Sequence, residues 1–506
     1  MKKIISSLSL IILMGYTISC DQNFDEFNTN QVNATAIDPA FQLNAAVVGL
    51  AFPTLGTLTF DIGIVQQIIS PNSGVLTGAN YNQDNREFSQ SLWQGYYRNV
   101  IKNTRDVISR VEGVSNRGNL LQMARLVQAY GFMVLTDDYG SIPYFDGGKG
   151  YTNQVFLPKY DAQQDIYADL IKEVREATGA LSSSQRIETA DVLYAGNIDK
   201  WKAFGNSLLL RLGMRLSEVD PALAQQVVSS LGSGPFILDN TDNAAIRHDN
   251  NYQNPTGNTL NSTEASNFYL TQPFVDFLKN SNDPRLSAIA VRYVGASSGP
   301  EQTPERASFS ADLQIGMPMG NDNAGAVKAA SDAGLASFYE FSQADRRRVA
   351  KLTAPNFLIT ASQTNLLLAE ARHRGWISSG SAEEYFHAGI RAHMVQLGQV
   401  DAGSMIPPEE INAFLQANPL IQASALEQIN DQYWIASFLN GPEAFANFRR
   451  SGFPALAPNP FPGREVPFIN RLTYPNSEIS VNAANVQEAI SLQGPDEIGT
   501  KVWWDK

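Results

Sequence analysis

Cysteine and histidine are scarce in this chain of 506 residues. Cys20 is the single cysteine, so the sequence forms neither a disulfide framework nor a multi-cysteine metal site. The four histidines, His248, His373, His387 and His393, follow no zinc-ligand motif, because the step from His387 to His393 is longer than the four-residue step of a helical zinc pair. The sequence therefore predicts no metal site, and we expect no cofactor.

Signatures of catalysis are also missing. The segment Gly147-Gly148-Lys149-Gly150 lacks the upstream glycine and the hydroxyl residue of a phosphate-binding loop, and no G-x-S-x-G elbow is present. Glycoside hydrolysis needs only two acids, which any chain of this length supplies, so the sequence does not exclude it. No recognisable catalytic set emerges, and the sequence predicts a binding protein and not an enzyme.

Positive charge and long apolar runs are in short supply. The chain has 37 Lys and Arg against 50 Asp and Glu, a net charge of -13, which becomes -15 once residues 1–19 and their two lysines are removed. This balance repels phosphate backbones, so we expect no nucleic-acid partner. A hydrophobic fraction of 43% with 17% charged residues is typical of a soluble globule, and no later segment is predicted to span a membrane.

The first residues predict export and lipid anchoring. Lys2 and Lys3 precede a short apolar stretch, as in a signal peptide over residues 1–19. Tyr16 to Cys20 resembles a lipobox, although Thr17 stands where leucine is commonest; the alternative is ordinary cleavage near Ser19 that leaves a free thiol. Acyl chains on Cys20 would hold the protein on a membrane without spanning it, since each buried methylene contributes about 0.8 kcal/mol. Residues 20–40 are predicted to be a flexible tether and residues 41–506 a single domain.

Helical periodicity dominates the rest of the chain. Apolar residues recur every three or four positions from Trp201 to Leu212 and from Ala382 to Met394, where Ser381 and Glu384 form a predicted capping box. Asp161 and Gln164 predict a second box. Further helices are predicted at Leu92–Val111, Leu120–Leu135, Phe357–Arg374 and Ile421–Leu439, and a short strand at Ala290–Val294. The predicted fold class is mainly α, with tetratricopeptide-like stacked helix pairs, long loops and minor short strands.

Aromatic residues are plentiful, with 26 Phe, 18 Tyr and 6 Trp, and rings beyond the needs of a core often line ligand sites. Three loop clusters combine rings with amide or guanidinium groups, which is the chemistry that binds a neutral oligosaccharide. Alternatively, these Asn-rich loops are simple turns and Trp93 is a core residue of its helix. The ligand-binding residues predicted from these clusters are Tyr81, Asn82, Arg86, Trp93, Tyr252 and Tyr339.

Several segments, in a fixed order, resemble the SusD/RagB family, and its SusD-like, starch-binding-associated subgroup in particular. They are Asp137 to Tyr144, Trp201 to Leu216, Asn356 to Trp376, Asn440 to Pro454, Arg471 to Glu478 and the terminal Val502-Trp503-Trp504-Asp505. One departure is Gln363, where the family more often has Glu. Within these motifs we expect Glu443, Arg449 and Arg450 to fix helix packing through ion pairs and caps.

The resemblance implies a surface lipoprotein of the outer membrane, facing the cell exterior, that captures oligosaccharides and delivers them to a SusC-type TonB-dependent transporter. Two alternatives stay open: an oligopeptide-binding, RagB-like lid, and a helical surface scaffold without a transport role. A concave site with stacked rings and amides would favour the glycan, charged ends with backbone-matching donors would favour the peptide, and a flat surface would favour the scaffold.

Overall fold

A computed structural model describes residues 37–72 and 77–505. The predicted signal peptide, the lipidation site Cys20 and most of the predicted tether lie outside these residues. Asp38, assigned above to the tether, already belongs to the folded part: its carboxylate accepts a hydrogen bond from the Ala40 amide at 2.8 Å and pairs with Arg117 at 2.8 Å. The helical part thus begins slightly before residue 41.

Helices make up most of the described chain. The α-helices, numbered in chain order, are α1 Pro39–Gly49, α2 Thr54–Thr59, α3 Asp61–Ile64, α4 Arg86–Gly95, α5 Lys102–Val111, α6 Gly118–Tyr139, α7 Gly150–Asn153, α8 Gln163–Ala180, α9 Ile198–Arg215, α10 Pro221–Ser229, α11 Pro255–Asn261, α12 Gln272–Asn280, α13 Arg285–Ile289, α14 Asn323–Asp332, α15 Ala361–His373, α16 Ala382–Val400, α17 Pro408–Ala417, α18 Ala425–Ala436, α19 Gly441–Ser451, α20 Asn476–Val481 and α21 Ala483–Gln493. A π-helical segment, Tyr96–Ile101, joins α4 to α5.

The strands are short and lie in three small antiparallel sheets. They are β1 Ile68–Ile69, β2 Ala244–Ile246, β3 Tyr269–Leu270, β4 Ala290–Tyr293, β5 Ala307–Ser308, β6 Gln343–Ala344 and β7 Asn356–Ile359. Strand β1 pairs with β3, β2 pairs with β7, and β4 lies between β5 and β6. The predicted mainly α class with minor short strands is confirmed.

Successive helices pack side by side, as the predicted stacked pairs require. Helix α6 contacts α5 and α8, α8 contacts α9, and α15 contacts both α16 and α18. Two glycines of the apolar stripes set the closest approaches: a Cβ on Gly205 would lie 2.0 Å from Thr178 Oγ1, and one on Gly389 would lie 2.6 Å from Leu366 Cγ. These glycines are present because the neighbouring helix occupies the space of a side chain.

One continuous hydrophobic core runs from Ala40 in α1 to Trp504 near the C-terminus. Helix α6 lies at its centre, with almost every residue buried. Trp504 is fully buried, and its indole N–H donates to the Asp137 carboxylate at 3.1 Å, so the C-terminus is held against the core. Such docking satisfies the polar end of the indole while its rings contribute apolar area.

Helix starts show where local signals are overridden. The box of Ser381 and Glu384 forms as predicted, at the start of α16. Asp161 does not cap α8; its carboxylate accepts instead from the amides of Tyr144 and Phe145 at 2.9 and 2.8 Å. The bridge between Ile142 and Asp161 draws that carboxylate to the turn after α6, which corrects the second predicted capping box.

Two predicted helices differ in extent, the first because of long-range strand pairing and the second because of a local cap. The helix predicted from Phe357 starts only at Ala361, because Asn356–Ile359 pairs with β2 as strand β7, and Thr360 with Gln363 forms a capping box after it. The helix predicted at Leu92–Val111 starts earlier, at Arg86, where Asn85 caps its first turn. Long-range pairing thus outweighs the local helical pattern.

One described segment, Pro39–Thr59, reaches the length and apolarity of a membrane span, with a mean hydropathy of 1.3. It is not one helix: α1 ends at Gly49 and α2 starts after Pro53. Leu43, Ala46 and Val47 are buried, and α1 packs on α5. This segment therefore forms part of the hydrophobic core. The sequence analysis predicted no membrane span after the signal peptide, although residues 39–59 have the length and apolarity of one.

Candidate ligand-binding site

A long, interrupted helix forms one wall of the candidate site. Helices α4 and α5 run through the π-helical segment Tyr96–Ile101 without a break in the chain. A π turn widens the helix by one residue and changes the direction of the side chains that follow it, and such segments are frequent at functional sites. Here the segment brings Trp93, Tyr97, Arg98 and Lys102 to one cavity.

The cavity lies between this helix, the loop after α6 and the start of α20. Its volume is ≈ 490 Å³. Three further cavities among the described residues have volumes of ≈ 150, ≈ 50 and ≈ 10 Å³. The large cavity is open to solvent and is lined by Trp93, Gln94, Tyr97, Arg98, Lys102, Pro143, Gly147, Gly148, Gly150, Tyr151, Val155, Phe156, Pro158, Ser477 and Glu478.

Trp93 sits in a cluster of rings at the base of the cavity. Its ring centroid lies 5.0 Å from that of Tyr97, 5.1 Å from Tyr139, and 5.9 Å from both Tyr160 and Tyr474. The Tyr97 hydroxyl donates to the Pro143 carbonyl at 2.7 Å, which fixes that ring against the loop. Trp93 itself is 4% exposed and belongs to the hydrophobic core, as the alternative interpretation held. Tyr97 is only partly buried, so it is the ring of this cluster that can present a pre-formed apolar face to a ligand.

The loop that forms the floor depends on glycine. A Cβ on Gly147 would lie 2.1 Å from the Pro143 carbonyl oxygen and 3.1 Å from Tyr97, and Gly148 has φ +77°. Arg105 holds this loop from below, donating to the carbonyls of Tyr144 at 2.8 Å and Gly147 at 3.3 Å. Gly147 and Gly148 thus allow the loop backbone to lie close to the helix. The sequence alone indicated only that this segment is not a phosphate-binding loop.

Two rings at the mouth of the cavity are largely exposed. Tyr151 is 87% and Phe156 is 75% exposed, and both follow the glycine-rich loop on and after the short helix α7. Neighbouring exposed apolar side chains often mark the place where a soluble protein meets a partner or ligand. Together with Trp93 and Tyr97 they give the cavity flat apolar surfaces at its base and at its rim.

The polar lining is sparse and mostly basic. Arg98 and Lys102 are exposed and project from successive turns of the interrupted helix. Glu478 lies on the opposite wall, where its carboxylate accepts a hydrogen bond from the Tyr160 hydroxyl at 2.9 Å. Burial, together with the nearby carboxylate of Glu478, raises the pKa of Tyr160 well above its ordinary value, so this tyrosine stays a hydrogen-bond donor.

Of the six predicted ligand residues, Trp93 is the one that lines this cavity, while three others hold loops together. The Tyr81 hydroxyl donates to the Pro71 carbonyl, and the Asn82 amide donates to the carbonyls of Asn459 and Arg464 at 3.0 and 2.8 Å. Arg86 pairs with Asp496 at 2.6 Å. Their polar groups are occupied inside the protein, and contact of these residues with a ligand remains a prediction.

The other two predicted residues lie on separate surfaces. Tyr252 is partly exposed and stacks on His248, with ring centroids 5.0 Å apart. Tyr339 stacks on Phe338 at 4.3 Å. Neither lines the cavity. Sequence reasoning missed Tyr97, Arg98, Tyr151 and Phe156; the four-residue step from Trp93 to Tyr97 and the rings after the glycine-rich segment were the available signals.

The charged residues of the family motifs lie in the core. Glu443 accepts hydrogen bonds from Arg215 at 2.8 Å and from the Tyr433 hydroxyl at 2.7 Å, and Arg450 bonds both oxygens of Glu370 at 2.6 and 2.8 Å. Gln363 accepts from Arg211 at 2.9 Å, so the amide keeps the hydrogen bond that a Glu would make there. Within residues 37–72 and 77–505, no group of three potential metal ligands occurs.

An open cavity lined by aromatic rings in a mainly α-helical protein is suited to binding a ligand. Comparison with known families agrees: a family model described as "SusD-like: starch-binding associating with outer membrane" matches residues 30–475. The chain belongs to this SusD-like family. A comparison with curated proteins found no match.

Solved structures resemble the chain over nearly its whole length. A chitin-binding protein is 29% identical with a TM-score of 0.80, covering 92% of this chain and 100% of that one. A chitin-binding SusD homologue from Flavobacterium johnsoniae is 24% identical with a TM-score of 0.72, covering 92% and 98%. A SusD homologue from Bacteroides fragilis is 23% identical with a TM-score of 0.77, covering 93% and 100%. The last two support the fold alone.

Proposed function

We propose that this protein captures oligosaccharides in the cavity between the interrupted helix and the loop after α6, and delivers them to a SusC-type TonB-dependent transporter. The acylated Cys20 holds it on the outer membrane, facing the cell exterior. The observation that carries the proposal is the concave, ring-lined site: sugar rings present apolar C–H faces that stack on aromatic faces such as those of Tyr97, Tyr151 and Phe156. The role is binding and not catalysis.

The comparisons support a glycan ligand as a class. The family description names starch, and the relative at 29% identity is described as chitin-binding. These are different polysaccharides, so only their shared chemistry, an oligomer of pyranose rings, is carried over to this chain. The volume of ≈ 490 Å³ accommodates a few sugar rings, because typical small-molecule sites span roughly 300–1,000 Å³.

The two alternatives are less well supported by the site. A scaffold would present a flat surface, whereas this surface is concave and carries exposed rings. An oligopeptide site would present backbone donors and acceptors in a row, as in strand addition. The cavity wall is instead formed by side chains of a helix, whose own backbone groups are used within it.

The test compares ring substitutions at the mouth of the cavity. Chitohexaose, maltoheptaose and hexagalacturonate are titrated into the mature protein by calorimetry, with a hexapeptide of glycine and alanine as the peptide probe. We expect a glycan to bind, and Tyr151→Ala and Phe156→Ala each to weaken it tenfold or more, about 1.4 kcal/mol. Both side chains are exposed, so neither change should lower the melting temperature.

Two controls locate the site. Phe41→Ala removes a ring that is 58% exposed on α1, away from the cavity, and should leave affinity unchanged. Tyr252→Ala removes a ring of the second predicted cluster. Loss of binding in Tyr252→Ala with full binding in the Tyr151 and Phe156 variants would move the site to that cluster. Binding of the peptide alone would replace the glycan by an oligopeptide, and failure to co-purify a barrel partner in mild detergent would contradict delivery.

A further inference from the structure

Two cations stand at the mouth of the cavity without an acidic partner. Arg98 and Lys102 are exposed and line the cavity, and the side chain of neither forms an ion pair or hydrogen bond with another residue of the described chain. Nearby arginines differ: Arg86 pairs with Asp496, and Arg105 is occupied by the loop carbonyls of Tyr144 and Gly147. The free pair is therefore a local feature of the cavity.

The position of this pair costs stability. Arg98 and Lys102 are four residues apart on one continuous helix, so their side chains are neighbours on its surface. Like charges at this spacing destabilise a helix, and the acid at helical spacing from them, Asp106 four residues after Lys102, pairs instead with Arg110 at 3.7 Å. In a chain with a net charge of -13, a basic pair without an acidic partner at a cavity of ≈ 490 Å³ indicates a role beyond folding.

The remaining lining does not neutralise the pair. Glu478 is the one acid among the lining residues, and it lies on the opposite wall with the Tyr160 hydroxyl bonded to it. The cavity thus combines a basic side, formed by Arg98 and Lys102, with the accessible rings of Tyr97, Tyr151 and Phe156. A ligand that stacks on the rings would present its substituents to the basic side.

We infer that the oligosaccharide is acidic, and that Arg98 and Lys102 bind its carboxylate or sulfate groups. This inference rests on the proposed function and narrows its ligand class. The Arg98 guanidinium can hold two oxygens of one carboxylate or sulfate at once, whereas the Lys102 ammonium acts as a point charge. The uronate and the sulfate ester share the chemistry recognised here, an oxyanion carried on a sugar ring.

The experiment uses matched pairs of probes that differ in charge alone. Hexagalacturonate is compared with its carboxyl-reduced form, and dextran sulfate with dextran, each titrated into the mature protein at 50 and 300 mM salt. We expect at least one charged probe to bind tenfold or more tightly than its neutral partner, and its affinity to fall as salt rises, because exposed charge pairs are screened. Tighter binding of hexagalacturonate would indicate a carboxylate ligand, and tighter binding of dextran sulfate would indicate a sulfate ester.

The variant arm is the double substitution Arg98→Gln, Lys102→Gln. We expect it to remove the preference for the charged probe while leaving residual binding to the neutral one, because the rings are intact. The control is the double substitution Arg175→Gln, Arg247→Gln, which removes the same charge from exposed positions outside the cavity. It should leave the affinities for the charged and neutral probes unchanged.

The outcomes separate this inference from the proposed function. Equal binding of charged and neutral probes, unaffected by salt and by the cavity variant, overturns the acidic ligand and leaves glycan capture standing. A preference that persists in the cavity variant overturns the assignment to Arg98 and Lys102, and its loss in the control would move the assignment to Arg175 or Arg247. Binding of no probe, including the neutral glycans above, overturns both.

Discussion

At the scale of single residues, the motif arginines act as buried partners of carboxylates. Arg450 bonds both oxygens of Glu370 and also the side chains of Asn430 and Asn447. Burial raises the pKa of Glu370, but Arg450 and Arg374 outweigh it and hold that pKa at about 2. Removing one partner of such a buried pair strongly destabilises the fold, because the other charge is left without water or a counter-charge.

We predict that Glu370→Gln lowers the free energy of unfolding by about 3–5 kcal/mol, because it leaves the Arg450 guanidinium buried with a neutral partner. Urea unfolding at pH 7 measures it. The matched control is Asp332→Asn, which breaks the ion pair with Lys328. The Lys328 side chain is 75% and the Asp332 side chain 64% exposed, so this change should cost less than about 1 kcal/mol. Equal losses in the two variants would contradict the prediction.

The same scale explains why residue type was a poor guide to the site. Tyr81 and Asn82 have side chains suited to sugars, and they occur in a polar loop, as the ligand hypothesis required. The structure buries both, and a buried polar group must find a partner within the protein. Which of two suitable side chains faces solvent depends on loop packing, which residue type does not encode.

At the scale of elements, the site depends on how closely a loop approaches a helix. The loop from Pro143 to Gly148 packs against the π-helical segment, and Gly147 fits only because it has no Cβ. The cavity floor and the orientation of Tyr97 therefore share one contact. The π-helical segment has no recognisable pattern in the sequence, which indicated a plain amphipathic helix over the same residues.

We predict that Gly147→Ala reduces glycan affinity tenfold or more, because the added methyl overlaps the Pro143 carbonyl and displaces the loop from Tyr97. The control is Gly179→Ala on α8, outside the cavity: no atom lies within 4 Å of its Cβ, and affinity should hold. Calorimetry with the tightest glycan probe measures both. Unchanged glycan affinity in Gly147→Ala would contradict the prediction and show that the Gly147 contact does not shape the ligand-binding site.

At the scale of the whole molecule, acids buried between distant segments link stability to pH. Asp61 of α3 and Asp138 of α6 are fully buried near Arg449 of α19, which lies 3.7 Å from Asp138. Neither carboxylate oxygen of Asp138 has a hydrogen-bond partner among the described residues. Burial raises the pKa of Asp61 to about 8, although Arg449 opposes the shift. Between pH 4 and pH 8 the folded chain therefore holds a proton that the unfolded chain has released.

We predict that this group makes the protein less stable as pH rises through that window, because the unfolded state binds fewer protons there. Relative to Asp61→Asn, the wild type should lose stability from pH 5 to pH 8 by up to about 1.4 kcal/mol per pH unit. Urea unfolding at each pH measures the difference. Parallel curves for the two proteins would contradict it, and Asp332→Asn, at an exposed site, should run parallel to the wild type.

Some properties of this protein follow from the sequence by itself. Apolar residues repeating every three or four positions can bury one face only as helices, so the mainly α class and its stacked pairs were predictable, as was the structural use of Glu443 and Arg450 within ordered motifs. Asn356 to Ile359 shows the limit of that reasoning, because its helical pattern gave way to pairing with a strand about 110 residues away in the chain.

Only the tertiary structure decided the site. The cavity joins side chains from Trp93 to Glu478, segments far apart in sequence that meet because a π turn and a glycine contact orient them. Local periodicity contains no information about such meetings, since each depends on how separate elements pack. The sequence thus determined which residues form helices and core, whereas packing determined which rings and charges face a ligand.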